Sequence, residues 1–308
     1  MCLPSGFQGS VRNLALHRRE MVEGLIVERN RRNSIGDGVG RWIFNHGLGD
    51  AIMLRSVLEH CRQPIKLQIP DECHYSRLFD DLPHVSVVGP QERAQGFKRM
   101  RFYTESYDFQ CVSGRKTKPR ICLEKEMRVF DPSVLIKPRS LDLSHVNTPE
   151  TRQTDRLVSS LGDYAVVHVQ GCSDRGSAPP LWLAYYLSKK IVETGLGCLV
   201  LNYDFGYRFG STPDLWFIGV DGIQSTKGWP LGAECMWRAL RGAKGLVGID
   251  SGPLHMAMAI KGLPCVHVKG RLDFRNVFYD GGTDNIKAAI DADSSFEDID
   301  QSLENFMQ

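Results

Sequence analysis

The sequence lacks three features that would each define a class of protein: a long apolar run, an excess of one charge sign and paired cysteines. No apolar run approaches the roughly 20 residues that a membrane-spanning helix needs. Residues 1–18 also lack the apolar core of a signal peptide. The 38 Lys and Arg residues nearly balance the 36 Asp and Glu residues, which argues against a nucleic-acid partner. We therefore expect a cytoplasmic protein with no transmembrane segment.

Metal-binding patterns are missing as well. The nine cysteines form no C-x-x-C pair, and their spacing suits neither a zinc site nor a disulfide-stabilised fold. None of His46, His168, His255 and His267 has the H-E-x-x-H spacing of a helical zinc site. We expect no metal and no cofactor.

Strands and helices alternate in two series along the 308 residues. The apolar pattern predicts strands at Trp42–Phe44, Ile65–Ile69, Val85–Val88, Tyr164–Val169, Gly197–Leu201, Trp216–Val220, Gly245–Ile249 and Pro264–Val268. It predicts helices at Ala51–Cys61, Asp71–Asp80, Leu181–Thr194, Leu231–Gly242, Pro253–Lys261 and Phe296–Phe306. Such alternation indicates an α/β fold with parallel sheets. We expect two Rossmann-like lobes facing a cleft, residues 1–155 and 156–308, with a boundary near 150–162.

A glycine turn follows the first predicted strand and opens a helix. Gly47 and Gly49 allow a substrate or another backbone to approach closely. Asp50 would then face the cleft, where a carboxylate can accept a proton from a substrate hydroxyl. The competing interpretation makes Asp50 only a helix cap, because Asp is favoured at that position.

A second turn, Asp250–His255, joins the predicted strand Gly245–Ile249 to the next helix. The N–H groups of Ser251 and Gly252 would lie at the positive end of that helix, which suits a diphosphate. Asp250 and His255 lie in the same turn. Here too the alternative is an ordinary helix cap and a partly buried histidine.

A third polar loop, from His168 to Arg175, follows the strand that begins at Tyr164. It offers Gln170, Ser173 and Arg175 to the cleft, and Arg suits bidentate contact with phosphate. For any single residue of this loop, solvent exposure without function is the competing interpretation.

Taken in order, three stretches resemble the ADP-heptose glycosyltransferases, the heptosyltransferase family of glycosyltransferase family 9. These are Gly47-Leu48-Gly49-Asp50-Ala51-Ile52, the strand, loop and helix of 164–189, and residues 229–270, which contain the pattern D-[ST]-G-x-x-H. The match covers about 41–90 and 160–285. The loop after His168 departs from the family pattern, since it lacks the family's Pro and the Lys that follows.

The resemblance implies a glycosyltransferase B fold and inverting, metal-independent sugar transfer. Asp50 would be the base, and Asp250, Ser251, Gly252, His255 and Arg175 would hold the diphosphate of a nucleotide-sugar donor. Leu231 would line the base pocket. Asp204, which follows the strand Gly197–Leu201, is assigned to the ribose hydroxyls because acidic residues hold ribose at such strand ends.

The acceptor would be a hydroxyl of a glycan, a lipid-linked molecule or another compound. The family also implies that the C-terminal helix packs back toward the first lobe. Two other functions remain open on this architecture: a nucleotide-sugar epimerase, and a non-catalytic module that binds sugar nucleotides.

Overall fold

A computed structural model describes the protein at residues 39–44, 47–69, 75–89, 97–99, 131, 141–169, 181–201, 221–225, 232–249, 251–269, 285–291 and 294–307. The first elements are β1 (Gly40–Ile43), α1 (Leu48–Leu58), β2 (Ile65–Gln68), a 3₁₀ helix (Ser76–Phe79), β3 (Val85–Val88) and β4 (Lys98–Arg99). The later elements are α2 (Pro149–Leu161), β5 (Tyr164–His168), α3 (Leu181–Glu193), β6 (Gly197–Val200), β7 (Ile223–Ser225), α4 (Ala233–Arg241), β8 (Leu246–Ile249), α5 (Gly252–Ala259), β9 (Cys265–Val268), β10 (Ile286–Ile290) and α6 (Phe296–Met307). The predicted strand Trp216–Val220 lies outside the described residues.

The described strands form two sheets with the orders β3-β2-β1-β4 and β10-β9-β8-β5-β6-β7. Every described pairing is parallel, so the predicted α/β class is confirmed. In each sheet the chain starts at an inner strand, extends to one side and then crosses to the other. The order therefore reverses between β1 and β4 and between β5 and β8. Ligands of open α/β sheets bind beyond the carboxyl ends of the strands at such a reversal.

One apolar cluster joins the two sheets. It contains residues of the first sheet and α1, such as Trp42 and Leu54, together with residues of α4 and α5 and of β5, β6, β8 and β9. A second cluster packs α3 and α6 on the opposite face of the six-stranded sheet. The helices α1 and α5 pack against each other within the first cluster. The first helix of the first α/β series is thus in direct contact with α5 of the second series.

The C-terminal helix α6 differs from the expectation drawn from the family resemblance. Its buried residues Ile299, Leu303 and Phe306 all belong to the cluster formed by residue 165 and later residues. The Phe306 ring fills the space beside Gly245, where a side chain would collide with it. Among the described residues this helix is docked on β9, β10 and α3, so the expected packing toward the first half is wrong.

The helix α2 spans the segment in which the sequence predicts the boundary between the two domains. Thr148 caps it, since its hydroxyl accepts from the Thr151 N–H at 3.2 Å while the Thr151 hydroxyl accepts from the Thr148 N–H at 2.8 Å. Pro149 sits in the first turn, where its missing N–H has no cost. The helix ends at Gly162, which has a positive φ of 66°. It runs through residues 155 and 156, and the division into two domains there stays a prediction.

A buried arginine anchors α1 inside the protein. All residues from Ala51 to Leu58 are buried, and Arg55 is only 5% exposed. Its guanidinium binds both carboxylate oxygens of Asp81 at 2.6 and 2.7 Å and one oxygen of Glu59 at 3.1 Å. It also donates to the Leu78 carbonyl. A buried charge requires such partners because its desolvation is costly.

The ion pair between Arg55 and Asp81 makes the stability of the fold depend on pH. Partial burial raises the pKa of Asp81, but the hydrogen bond and charge of Arg55 outweigh it, so the pKa lies below the ordinary value of 3.8. A lowered folded-state pKa contributes stability above the unfolded pKa, and that contribution is lost as pH falls. We expect Asp81→Asn to cost about 1 kcal/mol at pH 7. Its difference from wild type in urea unfolding should shrink below pH 4, and a constant difference down to pH 2 would contradict this account.

Asn285 caps the carboxyl end of α5. Its side-chain amide lies 2.9 Å from the carbonyl oxygen of Ile260, 3.2 Å from that of Ala257 and 3.4 Å from that of Met258. Carbonyls in the last turn of a helix lack the usual i+4 partner, although that of Ala257 also accepts from the Ile260 N–H at 3.1 Å and that of Ile260 from the Leu263 N–H at 3.3 Å. We expect Asn285→Ala to destabilise the fold by about 1 kcal/mol. Asn285→Asp should cost more, because a carboxylate is repelled by the negative helix end. Equal unfolding free energies for Asn285→Asp and wild type would rule out this cap.

Candidate functional site

The first predicted turn lies where the strand order of the four-stranded sheet reverses. Gly47 is the N-cap of α1, with extended φ and ψ of −71° and 170°. Asp50 is the third helical residue, and its Oδ2 accepts from the Gly47 N–H at 3.3 Å. The N-cap is therefore Gly47 rather than Asp50. A carboxylate in the first turn interacts favourably with the helix dipole. At 3.3 Å, the hydrogen bond from the Gly47 N–H to Asp50 is longer than a strong hydrogen bond.

The second predicted turn follows β8, beside the reversal in the six-stranded sheet. Ser251 is the N-cap of α5, and its C=O accepts from the His255 N–H at 3.1 Å. The Ser251 hydroxyl donates to the Ile249 carbonyl at 3.2 Å, and it makes no side-chain cap bond to the helix. Pro253 occupies the first turn, as the sequence predicts. The turn thus presents the positive end of an apolar, buried helix at the carboxyl edge of the sheet.

The two turns meet, although about 200 residues separate them along the chain. A methyl group added to Gly49 would lie 2.7 Å from Cδ2 and 3.2 Å from Cγ of His255. A methyl group added to Gly252 would lie 2.9 Å from both Cβ and Cδ2 of Leu48. At the start of each helix, a side chain from the other helix therefore packs against a glycine. The sequence predicted each turn but not this reciprocal packing.

The two glycines of the first turn differ in what they require. Around Gly47 an added methyl would meet only Asp50 Oδ2, at the ordinary distance of 3.9 Å. At Gly49 the same methyl would overlap the His255 ring. The sequence predicts room at both glycines for a substrate or another backbone. The structure instead gives the room at Gly49 to a side chain.

Converging helix starts give the site its electrostatic character. Two positive dipole ends favour a bound anion, while the Asp50 carboxylate adds a negative charge on the α1 side. His255 is 5% exposed, so its ring is covered within this junction. The arrangement can hold an anion at α5 with a carboxylate at the adjoining turn.

His168 ends β5 and adds no positive charge to this edge of the sheet. It is buried, and its Nδ1 donates to the Leu201 carbonyl at 3.2 Å. Burial lowers the pKa of His168 to about 4, although that hydrogen bond works against the shift. The imidazole is therefore neutral at pH 7 and cannot serve as a cationic phosphate ligand.

Several predicted site residues lie outside the described part of the chain: Arg175, Asp204, Leu231 and Asp250, together with Gln170, Ser173 and His46. Within the described residues, no group of three or more His, Cys, Asp or Glu side chains could hold a metal ion. No helix among those same residues is long and apolar enough to cross a membrane.

Comparisons of the sequence with family models and with curated proteins give no match. Solved structures do match. One is a glycosyl transferase family 9 protein from Veillonella parvula DSM 2008, with a TM-score of 0.53 and 14% identity over 87% of this chain and 90% of that chain. Another is the E. coli heptosyltransferase WaaC with ADP, with a TM-score of 0.57 and 12% identity over 87% and 99%.

A third match is the E. coli ADP-heptose lps heptosyltransferase II, with a TM-score of 0.52 and 12% identity over 87% of this chain and 98% of that one. These likenesses extend over nearly the whole length of the matched structures. At such low identity they bear on architecture. The chain has the fold of the family 9 glycosyltransferase and heptosyltransferase structures.

Proposed function

We propose that the protein is an inverting, metal-independent glycosyltransferase that takes a sugar from a nucleoside-diphosphate donor. The observation that carries the proposal is the meeting of the Asp50 turn with the Ser251–Gly252 turn. A transfer of this kind needs a base for the acceptor hydroxyl and a site for the departing diphosphate, held side by side. The matched fold supports the same class of reaction.

In the proposed mechanism, Asp50 accepts the proton of an acceptor hydroxyl. The oxygen attacks the anomeric carbon from the face opposite the leaving group, and the bond from that carbon to the diphosphate oxygen breaks. The N–H group of Gly252 and the positive end of α5 stabilise the charge that develops on the diphosphate. Preorganised dipoles of this kind supply the largest single contribution in many enzymes.

Other contacts are proposed from the family resemblance. Arg175 and Asp250 would add to the diphosphate site, Leu231 would line the base pocket and Asp204 would hold the ribose. Residues 1–155 would bind the acceptor and 156–308 the donor, in a cytoplasmic protein.

The donor is proposed to carry ADP and a heptose or a related sugar. Support comes from the matched E. coli structures, one of which holds ADP and one of which is named for ADP-heptose. The acceptor is a hydroxyl of a glycan, a lipid-linked molecule or another compound.

Substitution of Asp50 separates the catalytic from the structural interpretation. Asp50→Asn keeps an oxygen that can accept from the Gly47 N–H but removes the basic carboxylate. General-base catalysis contributes about 10²–10⁴-fold, so we expect transfer to fall by that factor while Tm and donor affinity change little. Slow hydrolysis of the donor, measured by release of nucleoside diphosphate, can replace transfer until the acceptor is known.

Asp50→Ala is the matched control. It removes both the carboxylate and the bond to Gly47, and we expect a loss of about 0.5–1 kcal/mol of stability. Near-normal turnover in Asp50→Asn, together with a destabilised Asp50→Ala, would make Asp50 purely structural. Interconversion of sugars without transfer would favour an epimerase, and binding without any turnover would favour a binding module.

A further inference from the structure

The junction of α1 and α5 is built from side chains seated on glycines. The His255 ring lies against Gly49, one residue before Asp50, and Leu48 lies against Gly252, one residue after Ser251. At Gly49 and at Gly252, an added Cβ would lie closer to a neighbouring carbon atom than ordinary van der Waals contact allows. The two turns therefore cannot shift toward each other, and the separation between them is fixed by the size of these side chains.

We propose that His255 is a positioning residue, which acts through the Gly47–Asp50 turn rather than as a ligand of the diphosphate. Its ring, seated on Gly49, holds the Asp50 carboxylate at the separation from the Ser251–Gly252 turn that transfer requires. This inference rests on the proposed function and replaces the anion contact expected for His255 from the sequence.

The geometry favours this role over direct anion binding. The atoms of His255 that approach Gly49 are Cδ2, Cγ and Nε2, at 2.7, 3.2 and 3.4 Å from the position of an added methyl. The side of the ring that carries Cδ2 is thus the part nearest Gly49. His255 is also the fourth residue of α5, with its N–H bonded to Ser251, and it is 5% exposed. The position of the His255 side chain is therefore set both by its backbone in α5 and by the contact of its ring with Gly49.

The effect on catalysis follows from the distance requirement of the reaction. Reacting atoms must be held near contact distance, and a misplacement of about 1 Å can lower the rate about 10²-fold. A positioning residue therefore affects kcat, whereas a ligand of the diphosphate in the ground state affects donor affinity as well. The two roles of His255 can be separated by measuring both quantities.

The test compares four variants: Gly49→Ala, His255→Ala, His255→Phe and the double variant Gly49→Ala with His255→Ala. We expect kcat for sugar transfer, or for donor hydrolysis until the acceptor is known, to fall about 10–100-fold in Gly49→Ala and in His255→Ala. The dissociation constant for ADP, measured by calorimetry, should stay within about twofold of wild type in both. His255→Phe keeps a flat ring on Gly49 without its nitrogens, and it should retain kcat within about fivefold.

Stability supplies a second readout of the contact. Overpacking at Gly49 should lower the Tm of Gly49→Ala by about 5 °C. The double variant should recover part of that loss, since the ring that the new methyl strikes is gone. The matched control is Gly89→Ala, where nothing lies within 4 Å of an added methyl, and its kcat and Tm should equal those of wild type.

Two results would overturn the positioning role. One is weakened ADP binding in both His255→Ala and His255→Phe, which would make the histidine a diphosphate ligand. The other is normal kcat in a folded Gly49→Ala. A wild-type protein that neither transfers nor hydrolyses any nucleotide sugar would instead overturn the proposed function, and the role of His255 with it.

Discussion

The close packing of α1 on α5 is the constraint on which the proposed site depends. α1 is buried from Ala51 to Leu58 within the apolar cluster that joins the first sheet to α5, so Arg55 cannot move without breaking buried contacts. The first turn of α1 is held by the contact of Gly49 with the His255 ring. Because the helix starts approach at Gly49 and Gly252, these two positions exclude side chains. The same approach explains why a bulky residue at Gly252 would be a poor probe of anion binding. It would strike Leu48 before it affected any ligand.

Topology explains why each turn lies at the carboxyl edge of its own sheet. Each follows a strand at the point where the order of its sheet reverses, and helices that begin there direct their positive ends beyond the carboxyl edge. The buried, neutral His168 contributes no charge at this edge. Among the residues that the structure describes at this edge, the two helix starts and Asp50 contribute to the local field.

Much of this architecture could be predicted from local patterns. The glycines and small polar residues predict the turn at Gly47 and the turn at Ser251, and apolar runs predict most strands, because each is encoded within a few residues. The helix α2 was missed because its polar sequence has few apolar residues, although Thr148, Pro149 and Thr151 carry a readable capping signal. β10 was missed as well, and the docking of α6 was wrong, since the site that accepts Phe306 is a glycine about 60 residues earlier. The seats of His255 and Leu48 could not be predicted, because they depend on how two distant helices pack.

The most direct measurement is a crystal structure of the protein with ADP bound. Our account predicts that the diphosphate lies within hydrogen-bond distance of the Gly252 N–H, at the start of α5, with the Asp50 carboxylate facing the position of the transferred sugar. The His255 ring should remain on Gly49. A nucleotide bound away from both turns, or helices α1 and α5 separated at Gly49 in the bound state, would contradict the claim that these two turns form one site.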